Sequence, residues 1–353
     1  ASGGSRMQEG TSALLQMQAI AAAIAAARQA GIPYLAVAGD PTTGGVWASL
    51  IAGADVLISV PGARVSFSGS RTRPGGADPR SPDYVADGKW DHGFVDVLAP
   101  VPELRAEVAA VVRLLSPRSR RTGPRRAPLP PWPAAQDDGD GPPGPDAWTH
   151  VSAVRGLRRA GAERWLAEYF EQTTEIRGDR RGGVDPGLRC GFGRHQGATI
   201  AYVAQTGGQT TAAGFRTATR LLEMAARFQL PVLTLIDTPG AAAAPADEAA
   251  GVGTAIAELF VAMASSQIPV TSVVIGEGVS GGALALASPT DLWIAWDGYL
   301  AVTAPELASS ILKLGTRDVP QVATWLRLTP AELLSRGIVR GIIGPSRSGG
   351  IGA

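Results

Sequence analysis

The same pattern of residues occurs twice in this chain, about 236 positions apart. Ile32-Pro33 precedes an apolar run from Tyr34 to Ala38, then Gly39-Asp40, then Thr43-Gly44-Gly45 and an apolar stretch through Asp55 into Val56-Leu57-Ile58. Ile268-Pro269 precedes Val270 to Ile275, then Gly276-Glu277, then Ser280-Gly281-Gly282 and an apolar stretch through Asp291 into Leu292-Trp293-Ile294. The spacing is kept from end to end, since positions 32 and 268 and positions 55 and 291 differ by the same amount. A pattern repeated in register specifies its local geometry twice, so the chain is built on a duplicated strand–glycine–helix unit.

Around the first copy the sequence predicts a helix over 12–30, strands over 34–38, 56–60 and 64–67, and a helix starting at Gly45. Around the second it predicts strands over 199–204, 232–236, 270–275 and 292–296, with helices over 211–228, 247–265 and 283–287. Helices alternating with short, mostly apolar strands give an α/β fold with largely parallel pairing. The alanine-rich stretch 12–30 has about the length of a membrane span. Gln16, Gln18, Arg28 and Gln29 interrupt it, and Gly31 and Pro33 end it as a soluble helix ends, so it is expected to be a buried helix. No succession of charged, apolar and cleavage-site residues opens the chain, so no secretory signal is expected. Ala1-Ser2-Gly3-Gly4 reads as a loop already inside a domain, and the N-terminal domain is therefore expected to be truncated.

With 353 residues the chain is long enough for two domains with cores of ordinary size. Hydrophobic residues make up 45% and charged ones 18%, the balance of a globular protein, and a net charge of +1 gives no reason to expect nucleic acid or an anionic surface as partner. A single cysteine, Cys190, excludes an intrachain disulfide framework and a thiolate zinc cluster, and fits a reducing, cytoplasmic setting. Between 116 and 145 the composition changes to nine prolines, an arginine cluster (Arg118, Arg120, Arg121, Arg125, Arg126) and then Asp137, Asp138 and Asp140. Such a stretch buries too little apolar surface to fold alone, and its prolines keep it semi-extended. It is read as a linker between domains at 1–115 and 146–353.

Four glycine-bearing junctions stand where a strand passes into a helix: Ser2-Gly3-Gly4, Thr43-Gly44-Gly45, Thr238-Pro239-Gly240 and Ser280-Gly281-Gly282. Glycines let a ligand approach the main chain, and the first turn of a helix leaves backbone N–H groups without intrahelical partners. Such donors suit a developing oxyanion, where loss of one typically costs about 3 kcal/mol of transition-state stabilisation. Tight turns and close packing also use glycine, but matching junctions in two copies favour the chemical use. Phosphate binding is the rival. No Gly-Lys-Ser/Thr follows a glycine-rich loop, and Gly276-Glu277-Gly278-Val279-Ser280-Gly281, which has the Gly-x-Gly-x-x-Gly spacing, is discounted as an isolated match. His92, His150 and His195 stand in unrelated contexts without metal-ligand spacing, so structural roles and no metal site are expected. The spacing Gly-x-Ser-x-Gly occurs once in this region, at Gly278-Val279-Ser280-Gly281-Gly282, inside the Ser280-Gly281-Gly282 junction already counted. What remains is chemistry in which backbone donors hold an oxyanion and the reacting molecules supply the base.

The first half resembles the β subunit of bacterial acetyl-CoA carboxylase carboxyltransferase in Ala1-Ser2-Gly3-Gly4-Ser5-Arg6-Met7-Gln8-Glu9-Gly10, in Asp40-Pro41-Thr42-Thr43-Gly44-Gly45-Val46 and in His92-Gly93-Phe94-Val95-Asp96. The second half resembles the α subunit. The matching runs are Arg177-Gly178-Asp179-Arg180, Ile236-Asp237-Thr238-Pro239-Gly240-Ala241, Gly276 to Ala285, and Ala304-Pro305-Glu306 leading into Ala308 to Lys313. The resemblance implies two crotonase-like (ClpP/crotonase) ββα-superhelix domains, the first holding acyl-CoA and the second holding carboxybiotin on a carrier protein. It implies transfer of CO₂ from carboxybiotin to acetyl-CoA, giving malonyl-CoA for fatty acid or polyketide synthesis. Gly3 and Gly4 would polarise the thioester carbonyl, and Gly281 and Gly282 the biotin ureido oxygen, with Gly44, Gly45, Gly240 and Ala283 contacting the bound groups.

Implied partners are a biotin carboxyl carrier protein, a biotin carboxylase and further copies of the chain in a homo-oligomer, with no membrane. Three departures stand out. The family's four-cysteine zinc ribbon has no counterpart here, and Gly240-Ala241-Ala242-Ala243-Ala244-Pro245 replaces an aromatic-bearing loop. Thr303-Ala304-Pro305-Glu306-Leu307 likewise replaces a serine-containing version. A malonyl-type thioester decarboxylase on the same scaffold, or an inactive assembly subunit, stays open beside the transferase.

Overall fold

A computed structural model describes residues 1–4, 7–68, 78, 81–116, 125–133, 146–156 and 161–345. The first copy supplies β1 (Leu35–Ala38), β2 (Thr42–Thr43), β3 (Val56–Ser59), β4 (Val65–Ser66) and β5 (Val97–Leu98). They form a parallel sheet in the order β1-β3-β5, with β2 pairing β4 beside it. The second half supplies β6 (Gln172–Glu175), β7 (Leu188–His195), β8 (Ala198–Gln205), β9 (Val232–Thr238), β10 (Val270–Val279), β11 (Leu292–Ala295), β12 (Tyr299–Ala301) and β13 (Ile342–Ile343). These make one sheet in the order β13-β11-β10-β9-β8-β7-β6, with β12 also on β10. Every residue of β8 and β9 is buried, as expected for strands covered on both faces.

The helices are α1 (Thr11–Gln29), α2 (Ala86–Asp91), α3 (Val101–Leu115), α4 (Ala147–Gly156), α5 (Ala162–Tyr169) and α6 (Ala212–Phe228). They continue with α7 (Pro245–Ala249), α8 (Val252–Ser265), α9 (Ser280–Leu284), α10 (Pro305–Ile311), α11 (Val319–Leu326) and α12 (Pro330–Ser335).

The duplication is visible in the pairing itself. Ile58 pairs Val97 as Ile294 pairs Ile342, and Ser2 bridges Thr42 as Thr238 pairs Gly278. The positions 2 and 238, 42 and 278, and 58 and 294 all keep the sequence spacing. In the second copy one long strand, β10, does what β1 and β2 do in two pieces. Pro41 has no N–H to give a ladder, so the first copy breaks there. The second copy instead shifts its register between Val274 and Gly278.

Several expectations differ from the structure. The expected helix 247–265 is two helices, divided at Gly251, whose φ of +77° is left-handed. The helix expected at Gly45 includes a π-helical turn over Trp47–Ile51, and the one expected at 283–287 runs over Ser280–Leu284. α1 is not a buried helix: none of its described side chains is buried, and Leu15 is 60% exposed. Its apolar residues run all round it without a single buried stripe. The glycines of β7 hid that strand from the sequence pattern. At Gly193 a Cβ would strike the Phe170 ring, so close packing replaces the usual side-chain signal.

The proline-rich stretch also differs from a free tether, for its described part, 125–133, packs on the second half. Ala127 is buried in a cluster with Trp165, Tyr202, Leu233 and Val273, and its carbonyl accepts the Thr271 hydroxyl at 3.0 Å. Arg126 pairs with Asp291 at 2.6 Å, and Trp132 stands edge-on to Trp165 and Trp296. The local run Ala127-Pro128-Leu129-Pro130-Pro131-Trp132 is apolar, which composition averaged over the whole stretch concealed. Arg118, Arg120, Arg121, Asp137, Asp138 and Asp140 lie outside the described residues.

The halves share a core and an ion-pair network. Val111, Leu114 and Leu115 of α3 lie in one apolar cluster with residues of β7, β8 and α6. Buried Asp96 accepts the amides of Leu57 (2.8 Å) and Arg177 (3.0 Å) and the guanidinium groups of Arg180 and Arg220. Asp55 accepts Tyr34 N–H (2.9 Å) and pairs with Arg28 and Arg227. Burial lowers the Arg180 pKa to about 10; Asp96 opposes that shift and neighbouring Arg220 adds to it.

Replacing Asp96 by alanine removes the carboxylate that Arg180 and Arg220 share and leaves the amides of Leu57 and Arg177 without their acceptor. A loss of about 3–5 kcal/mol is expected in urea unfolding. Asp40→Ala, which breaks an exposed pair with Arg64, is expected to cost under about 1 kcal/mol.

Candidate active site

Each copy carries two loops that cross at the C-terminal ends of its strands. In the first, Ser2 donates its N–H to Pro41 O (2.5 Å) and its carbonyl accepts Thr43 N–H (3.0 Å). This sets Gly4 against Gly44, where a Cβ would sit 3.5 Å from Gly4 Cα. Gly4 has φ +112° and Gly44 φ +66°, backbone that glycine adopts without strain. In the second copy Gly240 has φ +129°, and a Cβ at Gly282 would lie only 2.5 Å from Ala241 N. Glycine is therefore required at 282 for the loops to touch.

The backbone corrects the match made on residue names. Ser280, at φ +62°, occupies the left-handed position that Gly44 fills in the first copy, so Gly45 is equivalent to Gly281. Ser2-Gly3-Gly4 is equivalent to Thr238-Pro239-Gly240, and both loops carry the same internal cap. Gly4 N–H donates to Ser2 Oγ (3.3 Å), and Gly240 N–H donates to Thr238 Oγ1 (3.1 Å).

The candidate residues thus separate into two sites. Gly3, Gly4, Gly44 and Gly45 belong to the first copy, and Gly240, Gly281, Gly282 and Ala283 to the second. A Cβ built at Gly3, Gly4, Gly44, Gly240, Gly281 or Gly282 meets either nothing or atoms of its own half. The amides of Gly4, Gly44 and Gly240 are already given to Ser2 Oγ, Ser66 O and Thr238 Oγ1. Gly3 and Gly281 differ. A Cβ at either meets nothing within 4 Å, so both open onto free space. Ala283 is buried in the apolar core, where its side chain packs.

Further polar residues stand beside the second site. Arg155 of α4 bonds Glu277 (3.1 Å), Glu306 (2.6 Å) and Tyr299 Oη (3.1 Å), while Tyr299 Oη donates to Glu277 at 2.5 Å. Burial, then Glu277, pushes the Tyr299 phenol up, so it stays protonated. Glu277 and Glu306 stood within recognisable motifs; Arg155 did not. Gln205 and Thr210 were also missed. The histidines are structural: His92, His150 and His195 each bond one backbone carbonyl, those of Gly88, Gly298 and Tyr169.

A groove of about 1340 Å³ lies elsewhere, between Arg28, Gly53, Asp55, α6 and α8. It sits at the end of β1 and β3 opposite the glycine loops, and the ion pairs joining the halves line it. Among the described residues no group of three or more His, Cys, Asp or Glu is placed to hold a metal ion. No helix among them is long and apolar enough to cross a membrane.

The architecture is the crotonase-type carboxyltransferase fold. Transcarboxylase 12S, solved as a hexamer assembly with hydrolysed methylmalonyl-coenzyme A bound, superposes with a TM-score of 0.77 at 20% identity, covering 98% of this chain and 68% of that one. Residues 145–351 match the family "Acetyl co-enzyme A carboxylase carboxyltransferase-like". The acetyl-coenzyme A carboxylase carboxyl transferase subunits beta/alpha of Saccharopolyspora erythraea is 36% identical over 365 residues, 97% of this chain and 62% of that protein. Its counterpart in Frankia alni is 39% identical over 369 residues, 100% of this chain and 60% of that protein. The chain belongs to the acetyl-CoA carboxylase carboxyltransferase family, and it spans about three fifths of the length of these relatives.

Gly282→Ala is expected to lower stability by about 1–3 kcal/mol in thermal denaturation, because its Cβ meets backbone that cannot swing aside. Ser280→Gly is expected to lose nothing and to gain up to about 1 kcal/mol, since relief of left-handed strain offsets the added freedom of the unfolded chain.

Proposed function

We propose that this chain carries the carboxyltransferase step of an acyl-CoA carboxylase, moving a carboxyl group from carboxybiotin on a carrier protein to acetyl-CoA to give malonyl-CoA. The observation that carries this reading is the pair of crossed-loop sites. A transfer between two carbonyl-bearing partners needs two places to hold an oxyanion, and the duplication supplies one in each half. The motifs of the first half support placing the thioester at Gly3 and Gly4, and those of the second support placing the ureido group at Gly281 and Gly282. The fit is favourable at Gly281, which opens onto free space beside Gly282, the residue packed on Gly240 and Ala241. Carboxybiotin, when bound, supplies the carboxyl group. The chain's own residues hold the two oxygens by backbone donors, the Gly44 and Gly240 turns fixing where those donors point.

A biotin carboxyl carrier protein, a biotin carboxylase and a cytoplasmic setting belong to the same proposal. So does a homo-oligomer, for which the exposed Val302, Leu307, Ile311 and Leu312 around α10 supply apolar surface.

Incubation with a carboxylated carrier and labelled acetyl-CoA is expected to yield malonyl-CoA. Absence of product with acetyl-, propionyl- and butyryl-CoA, from folded protein, overturns the reading, and decarboxylation of malonyl-CoA alone favours a decarboxylase. In calorimetry Gly282→Val is expected to leave acyl-CoA binding near normal, while Gly4→Val abolishes it. The reverse outcome exchanges the two sites.

A further inference from the structure

We infer that Gln205 is a positioning residue of the second glycine site, an inference that rests on the carboxyltransferase reading. Gln205 ends β8 and is completely buried. Its Nε2 donates to Gly282 O at 3.0 Å and to Thr210 Oγ1 at 2.9 Å. Thr210, also buried, donates its N–H to Gly240 O (3.2 Å), and its carbonyl accepts Ala242 N–H (2.9 Å). One carboxamide therefore holds both loops from the core side, Gly282 directly and the Gly240–Ala242 turn through Thr210.

Chemistry fixes the orientation of this group. Gly282 O can only accept, so it faces the NH₂ and not the carbonyl oxygen. The remaining Oε1 is buried with no hydrogen-bond partner among the described residues. An unpaired buried acceptor costs stability, and leucine would fill the same volume without that cost. What leucine lacks is the pair of donors. Gly282 is pressed so closely on the Gly240–Ala241 peptide that moving one loop alone breaks one of the two Nε2 bonds. Gly282, and with it the neighbouring Gly281, is thereby set against the Gly240 turn.

Two variants test this. Gln205→Leu keeps the volume and removes both donors; Gln205→Glu keeps the shape and regains one O–H donor when protonated. Amide hydrogen exchange of the ligand-free protein is read first, relative to wild type at each pH. In Gln205→Leu the amides of Thr210, Ala242 and Ala285 are expected to exchange about tenfold faster, with β9 unchanged. In Gln205→Glu their protection returns as pH falls and the buried carboxyl takes up its proton, whereas Gln205→Leu shows no such recovery. Carboxyl transfer from malonyl-CoA to free biotin is read second. Gln205→Leu is expected to lower kcat about tenfold without changing KM for malonyl-CoA, and Gln205→Glu to regain rate toward acid pH in step with its protection. Unchanged exchange at the three amides overturns the inference, as does loss of protection spread evenly over β8, β9 and β10, which marks ordinary core damage. If wild-type protein shows no transfer while the exchange pattern holds, the carboxyltransferase reading fails and the clamp stands.

Discussion

The carboxylate of Asp96 is the point on which the two halves depend. It is buried between them, and it is the common acceptor for an amide of β3, the amide of Arg177 and two guanidinium groups from the second half. Charges so placed are tolerated only because each lone pair has a donor. The repeat therefore does not behave as two beads on a string. Gly93 and Gly178 approach so closely that a Cβ at Gly93 would lie 2.7 Å from Gly178 Cα, a contact the neighbouring ion pairs hold shut.

Much of this was legible in the sequence, and the reasons differ by element. Strands buried on both faces, such as β9 and β10, announce themselves as apolar runs, and α6 is bounded by its Thr211 cap and left-handed Gln229. The glycine loops were legible as composition but not as geometry. That Ser280 takes the place of Gly44 follows from the common spacing and is seen in φ, whereas matching by residue name sets the two loops one position out of register. Long-range partners were invisible for a different reason. Nothing near Gln205 or Arg155 in sequence points to Gly282 or Glu306, because those bonds exist only after the sheet has formed. The packing of 125–133 is hidden in the sequence because the proline content of the wider stretch masks the short apolar run inside it.

The two sites share one plan, and their differences are small but chemical. Where the first copy has Gly3-Gly4 the second has Pro239-Gly240, so proline removes an N–H that the first copy keeps. Where the first has Gly45-Val46 the second has Gly281-Gly282, and the second glycine admits the neighbouring loop. Duplication thus supplied a common frame, and single substitutions changed which backbone donors each copy offers.

The docking of residues 125–133 changes what the covalent connection between the halves means. α3 is fastened to the second half by its own core residues and by the Thr199 hydroxyl on Leu114 O, while Ala127 is fastened to the same body by Thr271. Both flanks of the stretch between Ser116 and Arg125 are thus held without it. Cohesion of the two flanks with the second half therefore rests on side-chain packing as well as on the covalent chain.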